Sequence, residues 1–498
     1  MAEKIATGVC REGANFFGHP RGLATLFMTE LWERFSYYGM RALLVLFMTA
    51  PEAAGGLGFS VAKAGAIYGM YTASVYLLSL PGGWLADRIL GQRKAVLYGG
   101  LLIAAGNACL AAPWILFFFG GLIISALGTG LLKPNVSVMV GQLYGPGDQR
   151  RDAGFSIFYM GINLGAFLAP LACGYLGQRI NWHLGFALAA FGMLAGLLQY
   201  AAGSKHLAEA SFFPAGASDP EAKAVAWRRA RRILAIPAIA VVLAALAHAS
   251  GLVSLSAELL SNAMGAVLLL TSVVFFAWLF MTGEWSRAER RRLAVVAILF
   301  VASALFWCMF EQAGSTLNLF AERSTDKTVL GFQFPASWLQ SLNALFIILL
   351  APVFAWIWVR LGKHEPSSPA KFSLGLLAAA TGFAVLALGA ARAEGGALVS
   401  PLWLVAVYLL HTIGELCLSP VGLSAMTKLA PARISGLLMG VWFLSLSMGN
   451  YLGGRIASLY EALPLDTLFM LIAAFGAIAG LLVALLVRPA KTLMGDVK

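Results

Sequence analysis

Long apolar runs alternate with short polar stretches along the whole chain. Most runs reach the roughly 20 residues that a helix needs to cross a bilayer, so the pattern predicts about fourteen membrane-spanning helices. Pro237 lies inside the run at 233–250 and would interrupt a helix there. The predicted helices lie near residues 22–50, 61–86, 95–112, 114–141, 153–176, 183–201, 233–250, 255–282, 293–320, 336–360, 372–391, 401–427, 435–458 and 465–487.

The first apolar run also carries a line of polar side chains. Glu30, Glu33, Arg34, Tyr37 and Arg41 follow one another at helical spacing, so they lie on one face of the predicted helix. Each ionised group would cost roughly 2.5–3.5 kcal/mol on insertion scales if it faced lipid at the bilayer centre. This face must therefore line a protein interior or an aqueous cavity, and it is a candidate site for a charged ligand.

The composition agrees with a membrane protein. The 498 residues are 60% hydrophobic and only 12% charged, against about 25% charged residues in soluble domains. The net charge of +12 does not indicate nucleic-acid binding, because most of the 35 Lys and Arg residues fall in alternate loops. By the positive-inside rule, these loops and both termini are predicted to be cytoplasmic.

Two polar stretches divide the predicted helices into groups of six, two and six. The stretches cover 203–232 and 283–292, and the grouping is typical of a duplicated transporter with an inserted pair of helices. A weak internal repeat between 82–94 and 358–363 agrees with duplication. The predicted domains are an N-terminal six-helix bundle at 1–202, a linker with two additional helices at 203–292 and a C-terminal six-helix bundle at 293–498.

A few other polar residues fall within predicted helices. Lys133 could reach the membrane interface, but the Gly and Pro residues around it favour a position in a cavity. Glu311 and Glu415 are carboxylates in apolar surroundings, where proton uptake is favourable, and this suits a proton-coupled protein. Asn163 and Asn343 are amides that could bind either a ligand or a neighbouring helix.

No pattern in the sequence predicts an enzyme, a metal site or a bound cofactor. The five cysteines and six histidines are scattered, and neither an HExxH nor a GxSxG motif is present. His411, one turn before Glu415, is more typical of a packing residue than of a ligand-binding residue. The N-terminal segment lacks the pattern of a cleaved signal peptide, so the first helix is expected to remain in the protein.

The intramembrane charges differ in sign between the two predicted halves. Arg34, Arg41 and Lys133 lie in the first half, whereas Glu311 and Glu415 lie in the second. If the halves face each other, one wall of the cavity is positive and the other is negative. An extended dipeptide spans roughly 7 Å at about 3.5 Å per residue, so a zwitterionic amino acid or short peptide fits this polarity.

Six motifs in order across the chain resemble those of the proton-dependent oligopeptide transporter family, a branch of the major facilitator superfamily. They are ExxERFxYYG at Glu30–Gly39, GGxxADRxxGxRK at Gly82–Lys94, GxGxxKPN at Gly128–Asn135, FYxxINxG at Phe158–Gly165, FWxxxEQ at Phe306–Gln312 and GELxxSPxGLS at Gly414–Ser424. The resemblance implies an all-α polytopic membrane protein with the major facilitator fold, and the two extra central helices are similar to those of bacterial members. It also implies proton-coupled import of di- and tripeptides by alternating access, with protons as the coupling ion and no other cofactor.

The resemblance further implies which residues contact the peptide. Three cations would bind the peptide carboxylate: Arg34, Arg41 and Lys133. Three other residues would bind its amino terminus: Asn163, Asn343 and Glu415. Four aromatic residues would shape the side-chain pockets: Tyr37, Tyr38, Tyr76 and Trp442. The chain is then expected to lie in a bacterial cytoplasmic membrane as a monomer, with short peptides and the lipid bilayer as its partners.

Proton coupling and gating are implied in the same way. Glu30, Glu33 and Glu311 would handle protons together with Arg34, while Arg41 with Glu311 and Lys133 with Glu415 would form gating pairs. The sequence departs modestly from the family at Ala166 and Phe310, where many members have Ser and some have an acid. The second predicted helix also lacks the histidine of animal relatives, so proton handling must depend on carboxylates.

One alternative remains open at this point. A major facilitator transporter for an amino acid, nitrate or a drug would share the fold. Such a protein does not need opposite charges on opposite walls, and competition between substrates would distinguish it from a peptide transporter.

Overall fold

The computed structural model describes residues 16–145, 147–207, 224–232, 256–282, 285–429 and 434–494, with isolated positions at 235–254 and at 431. The described residues are almost entirely helical. The first seven helices are α1 (Arg21–Thr49), α2 (Val61–Leu77), α3 (Ser79–Leu85), α4 (Gln92–Leu110), α5 (Ile115–Gln142), α6 (Arg151–Tyr175) and α7 (Trp182–Gly203). Most of the predicted 233–250 helix lies outside the described residues.

Eight further helices follow in the second part of the chain. They are α8 (Ala257–Thr282), α9 (Arg287–Phe310), α10 (Thr316–Arg323), α11 (Ser341–Leu361), α12 (Ser368–Arg392), α13 (Leu402–Leu429), α14 (Ser435–Ala457) and α15 (Leu465–Met494). A two-residue antiparallel hairpin, β1 (Thr328–Val329) with β2 (Phe332–Gln333), lies in the connection from α10 to α11.

Two predicted helices are interrupted. The apolar run at 61–86 forms α2 and α3 with a turn at Leu78, and the run at 293–320 forms α9 and α10. Between α9 and α10 the chain forms a 3-10 turn at Glu311–Gly314. Among the described residues, nine helical spans are long and apolar enough to cross a membrane.

The described contacts group the chain into two compact units. Unit 1 comprises Met1–Met40, Leu78–Ala169 and His183–Ser256, and unit 2 comprises Arg41–Leu77, Pro170–Trp182 and Ala257–Lys498. One unit boundary falls inside α1 and another inside α6, so the polar face of α1 contributes residues to both units. The division into six-helix bundles at 202 and 293 stays a prediction.

Unit 1 has an apolar core built by α1, α4, α5 and α7. It includes Leu26, Ile103, Val136 and Met193, all of them almost fully buried. Unit 2 joins elements that are distant in sequence, because α2 packs directly against α14. A Cβ atom at Gly454 would lie 2.4 Å from the Cα atom of Gly69, so this approach requires the absence of a side chain.

We expect Gly454→Ala to destabilise the protein. The added Cβ meets the backbone of α2, and overpacking of this kind costs about 1–3 kcal/mol. Gly120→Ala is the matched control, because no atom lies within 4 Å of its Cβ position and Ala is favoured over Gly in a helix by about 1 kcal/mol. Thermal unfolding of the purified variants should give a lower Tm for Gly454→Ala only; an unchanged Tm there contradicts the packing analysis.

Candidate functional site

The polar face of α1 forms a charged cluster in unit 1. Arg34 lies between two carboxylates: its Nε atom is 3.3 Å from Oε1 of Glu30 and also contacts Oε2 of Glu33. All three side chains are buried. Lys133 of α5, which is half-buried, lies close enough to Glu30 to interact with it electrostatically. The middle of α1 and the Gly- and Pro-containing α5 thus bring four charged residues together.

Two tyrosines flank the same guanidinium. The Cζ atom of Arg34 lies 5.0 Å from the ring centroid of Tyr37 and 5.8 Å from that of Tyr38. The two rings meet edge to face, with centroids 5.2 Å apart. Cation–π attraction therefore adds to the ion pairs in holding Arg34 in place.

A second charged cluster lies in unit 2 and begins two turns further along α1. Nη2 of Arg41 is 2.7 Å from Oε2 of Glu311, and both side chains are about 5% exposed. Nε of Arg41 donates to the hydroxyl of Tyr68 at 2.8 Å, and this hydroxyl donates to the Glu311 carbonyl at 3.4 Å. Removing one member of a buried pair leaves the other charge without compensation, which typically costs 3–5 kcal/mol.

The break between α9 and α10 creates the space for this pair. A Cβ atom at Gly314 would lie only 2.2 Å from the Tyr68 hydroxyl and 2.9 Å from Nε of Arg41. Gln312 stabilises the irregular backbone, because its Nε2 donates to the carbonyls of Cys308 and Gly453 at 3.2 and 3.0 Å. Interrupted membrane helices of this kind are found where a backbone lines a polar site.

Glu415 on α13 lies beside the Arg41–Glu311 pair. Nδ2 of Asn343 donates to Oε2 of Glu415 at 3.0 Å and to the hydroxyl of Thr412 at 3.1 Å. Glu415 is also close enough to Glu311 and Arg41 to interact with both electrostatically. Unit 2 therefore brings together four predicted site residues, Arg41, Glu311, Glu415 and Asn343, the last as a hydrogen-bond donor to Glu415.

The other predicted site residues have separate surroundings. Nδ2 of Asn163 donates to the Tyr159 carbonyl one turn earlier in α6, at 2.9 Å. Tyr76 is buried in α2, and Trp442 is buried in α14 with its ring near Phe372. Their roles toward a ligand stay predictions. Lys133 and Glu415 belong to different units, and their pairing as a gate also stays a prediction.

Three residues of the unit 2 cluster were absent from the predicted site. Tyr68 is the hydrogen-bond partner of Arg41, Gln312 holds the helix break, and Gly314 leaves room for both. A signal was present for two of them: Gln312 ends the FWxxxEQ motif, and Tyr68 is a polar aromatic within an apolar run. Gly314 is one of 54 glycines, and the sequence alone does not distinguish it from the others.

Comparison with known proteins gives consistent results. Residues 93–477 match the model of the POT family. The chain is 45% identical to the peptide transporter YePEPT of Yersinia enterocolitica, covering 97% of both chains. It is 39% identical to a di-/tripeptide transporter of Lactococcus lactis subsp. cremoris, covering 97% of this chain and 98% of the relative. A crystal structure of a mutant peptide transporter POT with alafosfalin is 44% identical, with a TM-score of 0.90 and full coverage of both chains.

We expect a double-mutant cycle to detect strong coupling between Arg41 and Glu311. Arg41→Met and Glu311→Gln should each lower the Tm, whereas the double variant should lose less than the sum, because it leaves no uncompensated charge. The Arg323–Glu461 pair is the control, with the same 2.7 Å separation but side chains 40% and 49% exposed.

Coupling in this exposed control should be about 0–1 kcal/mol. The measurement is thermal unfolding of the purified variants in one detergent. Additive losses at Arg41 and Glu311 would show that the buried pair does not act as a unit.

Proposed function

Since the chain belongs to the POT family, we propose that it is a proton-coupled symporter that imports di- and tripeptides by alternating access. It has the major facilitator fold of the solved peptide transporters. The relatives named as peptide transporters cover almost the whole chain, so the proposal applies to the full protein rather than to one part of it. We place it as a monomer in a bacterial cytoplasmic membrane, since the relatives are bacterial. Both termini are placed in the cytoplasm, following the distribution of basic residues.

The observation that carries the proposal is the charge balance of the unit 2 cluster. Arg41 contacts Glu311 and lies within electrostatic range of Glu415. When all three are ionised, the described groups hold one positive and two negative charges in a buried environment. An excess carboxylate in such surroundings favours the binding of a proton or of a ligand ammonium group.

A peptide supplies the complementary groups at its two ends. We propose that its amino terminus binds Glu415 and Asn343, with Asn163 contributing a further amide. Its carboxylate competes with Glu311 for Arg41 and also interacts with Arg34 and Lys133. Tyr37, Tyr38, Tyr76 and Trp442 then contact the peptide side chains, because aromatic rings accept both apolar and cationic groups.

Proton binding and peptide binding weaken the same ion pair in this mechanism. A proton on Glu311 neutralises the negative member of the pair. A peptide carboxylate binds Arg41, the positive member, in place of Glu311. Both ligands therefore shift the same conformational equilibrium in the same direction. Glu30 and Glu33 hold a proton near Arg34, and the membrane potential favours its inward movement by about 2.3 kcal/mol per charge per 100 mV.

We expect a substrate panel to distinguish peptides from the ligands of other major facilitator transporters. In proteoliposomes with an inward proton gradient, unlabelled di- and tripeptides should compete with uptake of a labelled dipeptide. Single amino acids, nitrate and cationic drugs should compete much more weakly, because they lack one terminal charge or the distance between the two. Equal competition by amino acids or nitrate would assign the transporter to another substrate class.

We expect Glu33→Gln to abolish proton-driven accumulation while peptide exchange across the membrane continues. The variant retains the size of the side chain and one accepting oxygen, but it lacks the charge paired with Arg34 and cannot bind or release a proton. Glu394→Gln, in an exposed turn, is the matched control and should accumulate peptide like the parent. Full accumulation by Glu33→Gln would remove Glu33 from proton coupling.

A further inference from the structure

The Ala42 carbonyl, directly after Arg41 in α1, receives two side-chain hydrogen bonds. Nδ2 of Asn318 on α10 donates to it at 2.9 Å, and Nε2 of Gln340 donates to it at 3.4 Å from the 3-10 turn before α11. Asn318 is 1% exposed, and Ala42 is fully buried. These two amides and the Arg41–Glu311 pair attach the same two residues of α1 to the second half of the chain; we call this set of contacts the α1 seam.

From this geometry we propose that Asn318 is a positioning residue that holds the α1 seam closed independently of charge. The inference deepens the alternating-access function proposed above and depends on it. Asn318 contacts neither peptide nor proton in this proposal; it determines how readily the seam opens when the Arg41–Glu311 pair is released.

The two kinds of contact respond differently to ligands. Protonation of Glu311, or capture of Arg41 by a carboxylate, removes the ion pair. The amide of Asn318 has no formal charge and does not titrate, so its bond to the Ala42 carbonyl persists through both events. The seam therefore opens only when conformational change breaks this bond and the longer one from Gln340, and the strength of the Asn318 bond contributes to the free energy of opening.

Three other contacts in unit 2 are also uncharged. The Ser447 hydroxyl donates to the Ala73 carbonyl at 2.7 Å, and Nε1 of Trp338 donates to the Leu171 carbonyl at 3.0 Å. The Ser337 backbone amide donates to the Gln178 side chain at 3.1 Å. Each bond joins a segment before residue 183 to one after residue 256, as the Asn318 bond does.

The test measures how often the seam opens, using a buried cysteine as the reporter. Ser337 is fully buried and lies in the same 3-10 turn as Gln340. We therefore expect Ser337→Cys, in a chain whose five native cysteines are replaced by alanine, to react with a water-soluble maleimide when the seam opens. The full-length protein in detergent exposes both faces to the reagent, so the result does not depend on membrane orientation. We expect Asn318→Ala to increase the labelling rate about fivefold, which corresponds to the roughly 1 kcal/mol contributed by one hydrogen bond.

Asn450→Ala is the matched control. Asn450 is also 1% exposed and in unit 2, and its Nδ2 also donates to a backbone carbonyl at 2.9 Å, but that carbonyl belongs to Leu446 in its own helix. The control variant should label at the parent rate. Equal acceleration by Asn318→Ala and Asn450→Ala indicates general loosening and overturns the proposal, as does parent-like labelling of Asn318→Ala.

A second variant protects the test against misfolding. Gln340→Met keeps the length of a half-buried side chain and removes only the longer, 3.4 Å bond, so we expect a smaller increase in labelling than for Asn318→Ala. If Asn318→Ala fails to fold, a parent-like rate for Gln340→Met overturns the proposal. The labelling test uses neither a peptide nor a proton gradient. If the substrate panel fails but Asn318→Ala still raises the labelling rate, the peptide substrate is contradicted and the role of Asn318 in the seam is retained.

Discussion

The buried ion pair between Arg41 and Glu311 is the interaction on which the unit 2 site depends. Two charges within 2.7 Å in an apolar region are stable only when further hydrogen bonds compensate their loss of water. Tyr68 supplies one such bond to Arg41. The pair also needs room, which the glycine at 314 provides at the break between α9 and α10. The Arg41–Glu311 pair, the helix break and Tyr68 therefore depend on one another.

The helix break has a cost that the neighbouring side chains offset. A break frees backbone groups that would otherwise bond within the helix, and such groups are expensive to leave unpaired in a membrane. Gln312 bonds the Cys308 and Gly453 carbonyls, while its own Oε1 accepts from the Thr316 hydroxyl at 2.9 Å. The amide thus links the break to α14, which packs on α2 through the glycines at 69 and 454.

The sequence predicts the class of fold and several site residues, because long apolar runs and charges within them are direct physical signals. The Arg41–Glu311 pair was expected, and the structure brings these residues into contact. The interruption at 311–314 was not predicted, since the run at 293–320 is apolar on both sides of it. Asn318 was also missed, because its partner is the backbone of α1 and no side-chain pattern reports such a contact.

The two clusters differ in what a proton would do to them. In unit 1, Arg34 contacts both Glu30 and Glu33, so one carboxylate can bind a proton while the other still holds the guanidinium. In unit 2, a proton on Glu311 removes the ion pair with Arg41. We therefore infer that the two clusters have different roles. The unit 1 cluster binds a proton with little rearrangement, whereas protonation of Glu311 changes the contacts that keep the seam closed. The unit 1 cluster keeps one ion pair after it binds a proton, because Arg34 contacts two carboxylates. The unit 2 cluster loses its ion pair, so its conformational equilibrium shifts when a proton binds.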